Sequence, residues 1–286
     1  MDMKSVDEIH SICKKYKIKD YTINDDGSID VEVNVELLKC DLYELPLTFN
    51  KVGGTFDCSG NNLTTLKGSP KSVGGTFDCS YNNLTTLKGS PKSVGVNFYC
   101  YKNNLTSLKG SPTEIRGDFY CDQNSLTSLE HGPELVGYDY DCAANYLTDL
   151  KGAPKEVGGV FDCRDNKLTT LEGSPDYIDG NFECSHNFLT DLKNGPKEIT
   201  GHLICYNNQI NSLEFYPKVD KTFELLENPV GSLFNSFNPD LDVIKAFNSY
   251  RVLKDGVIII KRLKYLMSTF NQPIDLEEIE KHYKVK

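Results

Sequence analysis

Between residues 33 and 234 the apolar positions fall on a fixed beat. The stretch Phe77-Asp78-Cys79-Ser80-Tyr81-Asn82-Asn83-Leu84-Thr85-Thr86-Leu87 reads F-x-C-x-x-N-x-L-x-x-L, and its landmarks return every 21 residues. Cysteine does so at eight successive steps from Cys58 to Cys205, asparagine from Asn61 to Asn208, and leucine from Leu63 to Leu189 with Ile210 next. One step earlier, Val35, Leu37, Cys40, Leu42 and Leu45 make a first copy with cysteine in the asparagine place. Phe223, Leu225, Asn228, Val230 and Leu233 make a last one, offset by 20 because the Pro217 segment is one residue shorter. The x-F-x-C-x core alternates with a period of two, so each of about ten repeats predicts a short strand lying parallel to its neighbours, about 4.8 Å away. Phe, Cys and both Leu then face inward in rows that no single repeat could bury. The Asn row is expected to bond the backbone of the turn leaving each strand, because buried polar groups need partners. Segments such as Lys88-Gly89-Ser90-Pro91-Lys92-Ser93-Val94-Gly95 return the chain. Their Pro and Gly disfavour a helix there and predict extended or polyproline II returns.

The ends follow other periods. Ser5-Val6-Asp7-Glu8 is a capping box, and Val6, Ile9, Cys13 and Tyr16 keep helical spacing, which predicts an amphipathic first helix. Asp26-Gly27 between Tyr21–Ile23 and Ile29–Val33 predicts a hairpin that feeds the first repeat strand. Beyond Phe234, Leu241, Ile244, Phe247 and Tyr250 predict a helix, Asp255-Gly256 a hairpin into Val257–Ile260, and residues around 261–270 and 275–283 two further helices. The organisation expected is an α+β/β solenoid: an N-terminal helix-hairpin cap over 1–32, the repeats over 33–234, and a mostly helical capping subdomain over 235–286.

The repeat core resembles the L-x-L-x-x-N-x-L signature of leucine-rich repeats, with Phe and Cys in the first two Leu places. It is similar in particular to the short repeats of bacterial type III secreted effectors, whose units run N-x-L-x-x-L-P-x-x-P. That resemblance covers roughly residues 33 to 234. Residues 21–30, Tyr-Thr-Ile-Asn-Asp-Asp-Gly-Ser-Ile-Asp, and the Lys-Gly-Ser-Pro returns also resemble repeat proteins of large tailed bacteriophages. The resemblance implies a parallel sheet on a concave face and a non-enzymatic role in binding another protein, such as a phage-encoded inhibitor of a host defence protein. The other role it leaves open is a structural or adhesive component of a virus particle or surface assembly. Only about 50 residues follow the repeats, so the ligase activity of some of these effectors is not carried over.

Charge and composition narrow the partner. The 286 residues carry a formal charge of -10. Residues 235–286 hold nine Lys or Arg against seven Asp or Glu, a balance of +2, which leaves -12 on the rest. That acidity argues against a nucleic-acid partner, which needs clustered cations, and favours a protein with a basic surface. With no signal-like or membrane-length apolar run, the expected location is cytoplasmic, in the host cytoplasm if the chain is phage-encoded. No cofactor, metal or catalytic residue is implied. One Cys per repeat makes a row instead of the tight pairs zinc requires, so buried, reduced thiols are expected.

The information lies in the outward residues of the strands. Between Phe and Cys stand Asp57, Asp78, Tyr99, Tyr120, Asp141, Asp162 and Glu183; after Cys come Tyr101, Asp122 and Arg164; before Phe come Asp118 and Asp139. Tyrosines serve as anchors and the surrounding carboxylates as steering charges for a basic partner. The competing reading is that Tyr and Asp are solubilising, strand-compatible residues copied by duplication. Stacked acids such as Asp57 and Asp78 repel, so a partner's Lys or Arg, or a cation such as calcium, would offset them.

Overall fold

The computed structural model describes residues 4–234, 241–254 and 257–286. Two compact units emerge: one runs to Leu147 and takes in Lys151–Gly158, the other comprises Thr148–Leu150 and Gly159–Lys286.

In the first unit six strands at the Phe position, from Val35–Glu36 to Tyr140–Asp141, pair in parallel with every register step equal to one repeat, as in Phe77↔Phe98 and Phe98↔Phe119. The second unit continues the pattern with four, from Phe161–Asp162 to Phe223–Glu224. The ten expected repeat strands are thus present. Their Phe side chains form a row, with ring centroids 5.8 Å apart for Phe56 and Phe77 and 5.7 Å apart for Phe98 and Phe119. The eight cysteines and the leucines behind them are almost completely buried. Each fully buried Phe or Leu contributes about 1.5–3 kcal/mol, and only stacking on a neighbouring repeat supplies that burial.

The returns are extended, as expected. They are not isolated extended segments but a second set of parallel strands: Phe49–Val52, Ser72–Val73, Ser93–Val94, Glu114–Ile115, Leu135–Val136 and Glu156–Val157 in the first unit, and Tyr177–Ile178, Glu198–Ile199 and Lys218–Val219 in the second. Each contributes one buried Val or Ile, and in several repeats a glycine follows it. At that corner the backbones touch: a Cβ on Gly74 would lie 2.1 Å from the Gly53 carbonyl oxygen, and one on Gly95 would lie 2.0 Å from that of Gly74. Glycine lets the backbones of successive repeats approach this closely at Gly74 and Gly95.

The asparagine row carries the turns. Asn103 Nδ2 donates to the carbonyls of Cys100 (3.1 Å) and Tyr101 (3.4 Å) in its own repeat and of Cys79 (3.0 Å) in the previous one, while its Oδ1 accepts from Leu84 N–H (2.9 Å). Asn61, Asn82, Asn124 and Asn145 repeat the arrangement in the same unit. Each asparagine therefore clamps two successive turns. The residue just before it is left-handed, with φ between +51° and +65° at Gly60, Tyr81, Lys102, Gln123 and Ala144. Outside glycine that conformation is strained, and the asparagine clamp holds it.

At the N-terminal end α1 (Val6–Lys15) carries the expected reciprocal cap, Ser5 N–H to Glu8 Oε2 at 2.7 Å and Glu8 N–H to Ser5 Oγ at 3.3 Å, and buries Ile9 and Cys13. The hairpin Tyr21–Ile23/Ile29–Val31 forms, but its second strand pairs with Phe49–Val52 in the return sheet. Within the second unit, α2 (Leu241–Ser249), α3 (Ile260–Thr269) and α4 (Leu276–Glu280) follow the last repeat. Phe247 lies 5.5 Å from Phe234, Asn248 Nδ2 donates to Leu213 O (2.9 Å), and Tyr283 Oη donates to Asn211 O (2.9 Å), so these elements pack on the final repeats. The α4 helix stops three residues earlier than expected, and Tyr283 is buried instead against the repeat. The Asp255-Gly256 turn lies outside the described residues; Leu253–Lys254 and Val257–Ile258 on either side of it pair antiparallel.

Candidate binding face

Strand alternation turns Phe and Cys inward and the residues between and beside them outward. In the first unit this places Asp57, Asp78, Tyr99, Tyr120 and Asp141 in one column, with Asp118 and Asp139 before it and Tyr101 and Asp122 after it, all half-buried. The tyrosines come together. Tyr99 stacks on Tyr120 at 5.0 Å between centroids and meets Tyr101 edge-on at 6.3 Å. The Tyr99 hydroxyl donates to Asp118 Oδ2 (3.2 Å) and accepts from Asn97 Nδ2 (2.6 Å), while Tyr120 Oη lies 3.5 Å from Asp139 Oδ2. Burial, then the Asp118 charge, pushes the Tyr99 hydroxyl up to about 12. Burial followed by the Asp118 and Asp139 charges raises Tyr120 as well, so both rings keep their proton as donors.

The carboxylates have local work. Asp57 Oδ1 accepts from Ser59 N–H (2.9 Å) and Oγ–H (2.7 Å), Asp78 does the same with Ser80 (2.9 and 2.6 Å), and Asp141 accepts from Ala143 N–H (2.9 Å). This Asx-type closure of the turn gives aspartate a structural reason to recur, and the Ser hydroxyls stabilise two acids held in register. Burial, and to a lesser extent the Asp57 charge, raises the Asp78 carboxyl despite the Ser80 hydrogen bonds. Asp118 Oδ1 caps Asp139 N–H at 3.2 Å, and Asp122 Oδ2 accepts from Gln123 Nε2 at 3.0 Å. In the second unit Arg164 Nε is 3.0 Å from Asp162 Oδ2, and its Nη1 is 3.6 Å from Glu183 Oε2. Burial outweighs that cation and pushes the Asp162 carboxyl up to about 6.

Sequence reasoning missed the left-handed column. Tyr81, 48% exposed, meets Tyr101 edge-on at 5.3 Å, and Lys102 Nζ sits 4.5 Å from the Tyr81 ring centre and donates to its hydroxyl at 2.8 Å. Tyr81 thereby extends the aromatic row to four rings. Comparison with Gly60, its counterpart one repeat earlier, carries the signal. Exposed Val96 and Tyr138 at the glycine corner were also passed over.

The thiols do not belong to the site. Burial pushes those of Cys58, Cys79, Cys100, Cys121 and Cys205 well above the ordinary thiol range, so they are inert. Among the described residues no group of three His, Cys, Asp or Glu side chains is arranged to hold a metal ion, and no helix is long and apolar enough to cross a membrane.

A 21-residue repeat of parallel strands, tied by an asparagine row and flanked by helices, defines the leucine-rich-repeat solenoid fold. No protein-family model and no curated protein matches the chain. Among solved structures, YopM from Yersinia enterocolitica WA-314 matches with a TM-score of 0.34 and 19% identity, over 69% of this chain and 54% of that one. The chain therefore spans about half the length of that protein.

Proposed function

We propose that this chain is a non-enzymatic protein-binding module. Its partner carries a basic surface and docks on the outward residues of the strands, centred on Tyr99, Tyr101 and Tyr120. One observation carries the reading: departures from the repeat cluster outside and not inside. Residues 53–59 and 74–80 are the same heptapeptide, Gly-Gly-Thr-Phe-Asp-Cys-Ser. The next three repeats keep an aromatic ring and Cys inward yet place Val96, Asn97, Tyr99, Tyr101, Arg116, Asp118, Tyr120, Asp122 and Tyr138 outward. Duplication alone would copy both faces alike. Adjacent, partly exposed tyrosines with fixed hydroxyl donors, ringed by carboxylates, form an anchor that selects for cations.

The remaining acids of the first unit, Asp57, Asp78, Asp139 and Asp141, extend a steering field beside this anchor; in the second unit Asp162 and Glu183 are the candidate acids, with Arg164 as their local counter-charge. The phage-like segments noted in the sequence extend the reading to an inhibitor that acts on a defence protein in the host cytoplasm. Affinity capture from host lysate, followed by titration of the captured protein, tests it. Tyr99→Ala with Tyr120→Ala is expected to weaken binding by about tenfold or more while the chain stays folded. Unchanged affinity would remove the strand face from consideration.

A further inference from the structure

A second surface is left open at the start of the repeats. In a parallel ladder a residue turns its N–H and C=O toward the same neighbour. Val35 N–H donates to Thr55 O (2.8 Å) and Leu37 N–H to Asp57 O (2.7 Å), so Thr55 and Asp57 face back toward the first repeat. Their counterparts one beat earlier are Asn34 and Glu36, which face outward. Among the described residues no strand meets them: Val35–Glu36 ends its sheet and pairs only with Phe56–Asp57. The N-terminal hairpin closes the return sheet and leaves this edge unpaired.

Beside the edge lies a groove of about 560 Å³ whose lining includes Lys15, Lys17, Lys19, Val33, Glu36 and Leu38. Val33 and Leu38 are 40% and 49% exposed, apolar side chains that a protected edge would not display. Natural edges are blunted by charged residues or proline on the strand, by keeping the strand short, or by a covering helix or loop. Here the lysines come instead from the end of α1 and the segment after it, across the groove, while the strand flanks are apolar. Three lysines against Glu36 give the lining a charge of +2, in a stretch of chain that is otherwise acidic.

We propose that this edge takes an extended acidic segment of a partner protein as an added strand. Its backbone pairs with the N–H and C=O of Glu36 and the C=O of Asn34, its apolar side chains rest on Val33 and Leu38, and its carboxylates meet Lys15, Lys17 and Lys19. The site is separate from the tyrosine face and opposite to it in charge, so it stands whether or not that face binds.

The test uses the full chain and a fluorescein-labelled peptide of alternating Glu and Val, seven residues long, read by anisotropy. Binding is expected, with about tenfold or greater loss when Lys replaces Glu in the peptide, when Pro replaces the central Val, or when the chain carries Lys15→Glu, Lys17→Glu and Lys19→Glu. The peptide is expected to slow hydrogen exchange at the Glu36 amide, and Tyr99→Ala with Tyr120→Ala to leave its affinity unchanged. No binding at millimolar peptide would overturn the proposal, as would equal binding of the Lys or Pro peptide or protection only at the tyrosine face. A dimer at low salt that the three lysine changes dissolve would give the edge to a second copy of the chain and equally overturn it.

Discussion

Inside and outside of the same repeats obey different rules. Across the first unit the inward rows barely change, an aromatic ring at Phe56, Phe77, Phe98, Phe119 and Tyr140 followed each time by Cys, whereas the outward columns change from Asp and Ser to Tyr and back. A stacked row tolerates little variation because each side chain packs on the copy above and below at interior density. An outward column has no such constraint, so a change that persists there needs another explanation. At Asp57 and Asp78 the turn closure supplies one; at Tyr99 and Tyr120 no turn closure is involved, and the partner proposed above would supply it.

The sharpest way to break this contrast is to place a charge inside. Leu105→Asp buries an unpaired carboxylate in a row that is 0% exposed and is expected to cost more than about 4 kcal/mol, abolishing the cooperative melt. A normal melting curve would undo the inward assignment. Asn103→Ala tests whether the clamp, not apolar packing alone, joins repeats. It leaves Leu84 N–H without its acceptor and takes one of two asparagine donors from each of the Cys79 and Cys100 carbonyls, and a loss of about 1–3 kcal/mol by denaturant titration is expected.

Asp162 probes an acid that the fold disfavours. Its carboxyl is raised to about 6 from an ordinary value of 3.8, so between those values the folded chain binds more protons than the unfolded one. Stability therefore falls as pH rises from about 4 to 6, and the full cost remains above that range. Asp162→Asn should be more stable at pH 7.5, by on the order of 1–3 kcal/mol, and the gain should vanish below about pH 4. The mildest test is Ala144→Gly at φ +51°, which relieves left-handed strain and is expected to stabilise by about 0.5 kcal/mol.

Much of the fold is written in single letters: the beat of Phe, Cys, Asn and Leu dictates repeat length, strand position and the asparagine clamp. The return strands after Phe49–Val52 were hidden because each offers only one inward residue, Val or Ile, and one residue shows no alternation. The left-handed column was hidden for another reason, since Tyr81, Lys102, Gln123 and Ala144 share a backbone angle and nothing in their side chains. At the binding face the tyrosine cluster was legible from the columns, but the inward-turned duty of the aspartates was not, because Asp-x-Ser reads equally as exposed polarity until the turn is seen.

One sulfur sealed in each repeat from Cys58 to Cys205 has a consequence for how the molecule can be watched. An alkylating reagent cannot reach these atoms in the closed state, so each repeat carries its own timer of local opening. Cys40, only partly covered, marks the zero of that clock. The order in which the others are modified maps where the stack breathes and where it stays shut.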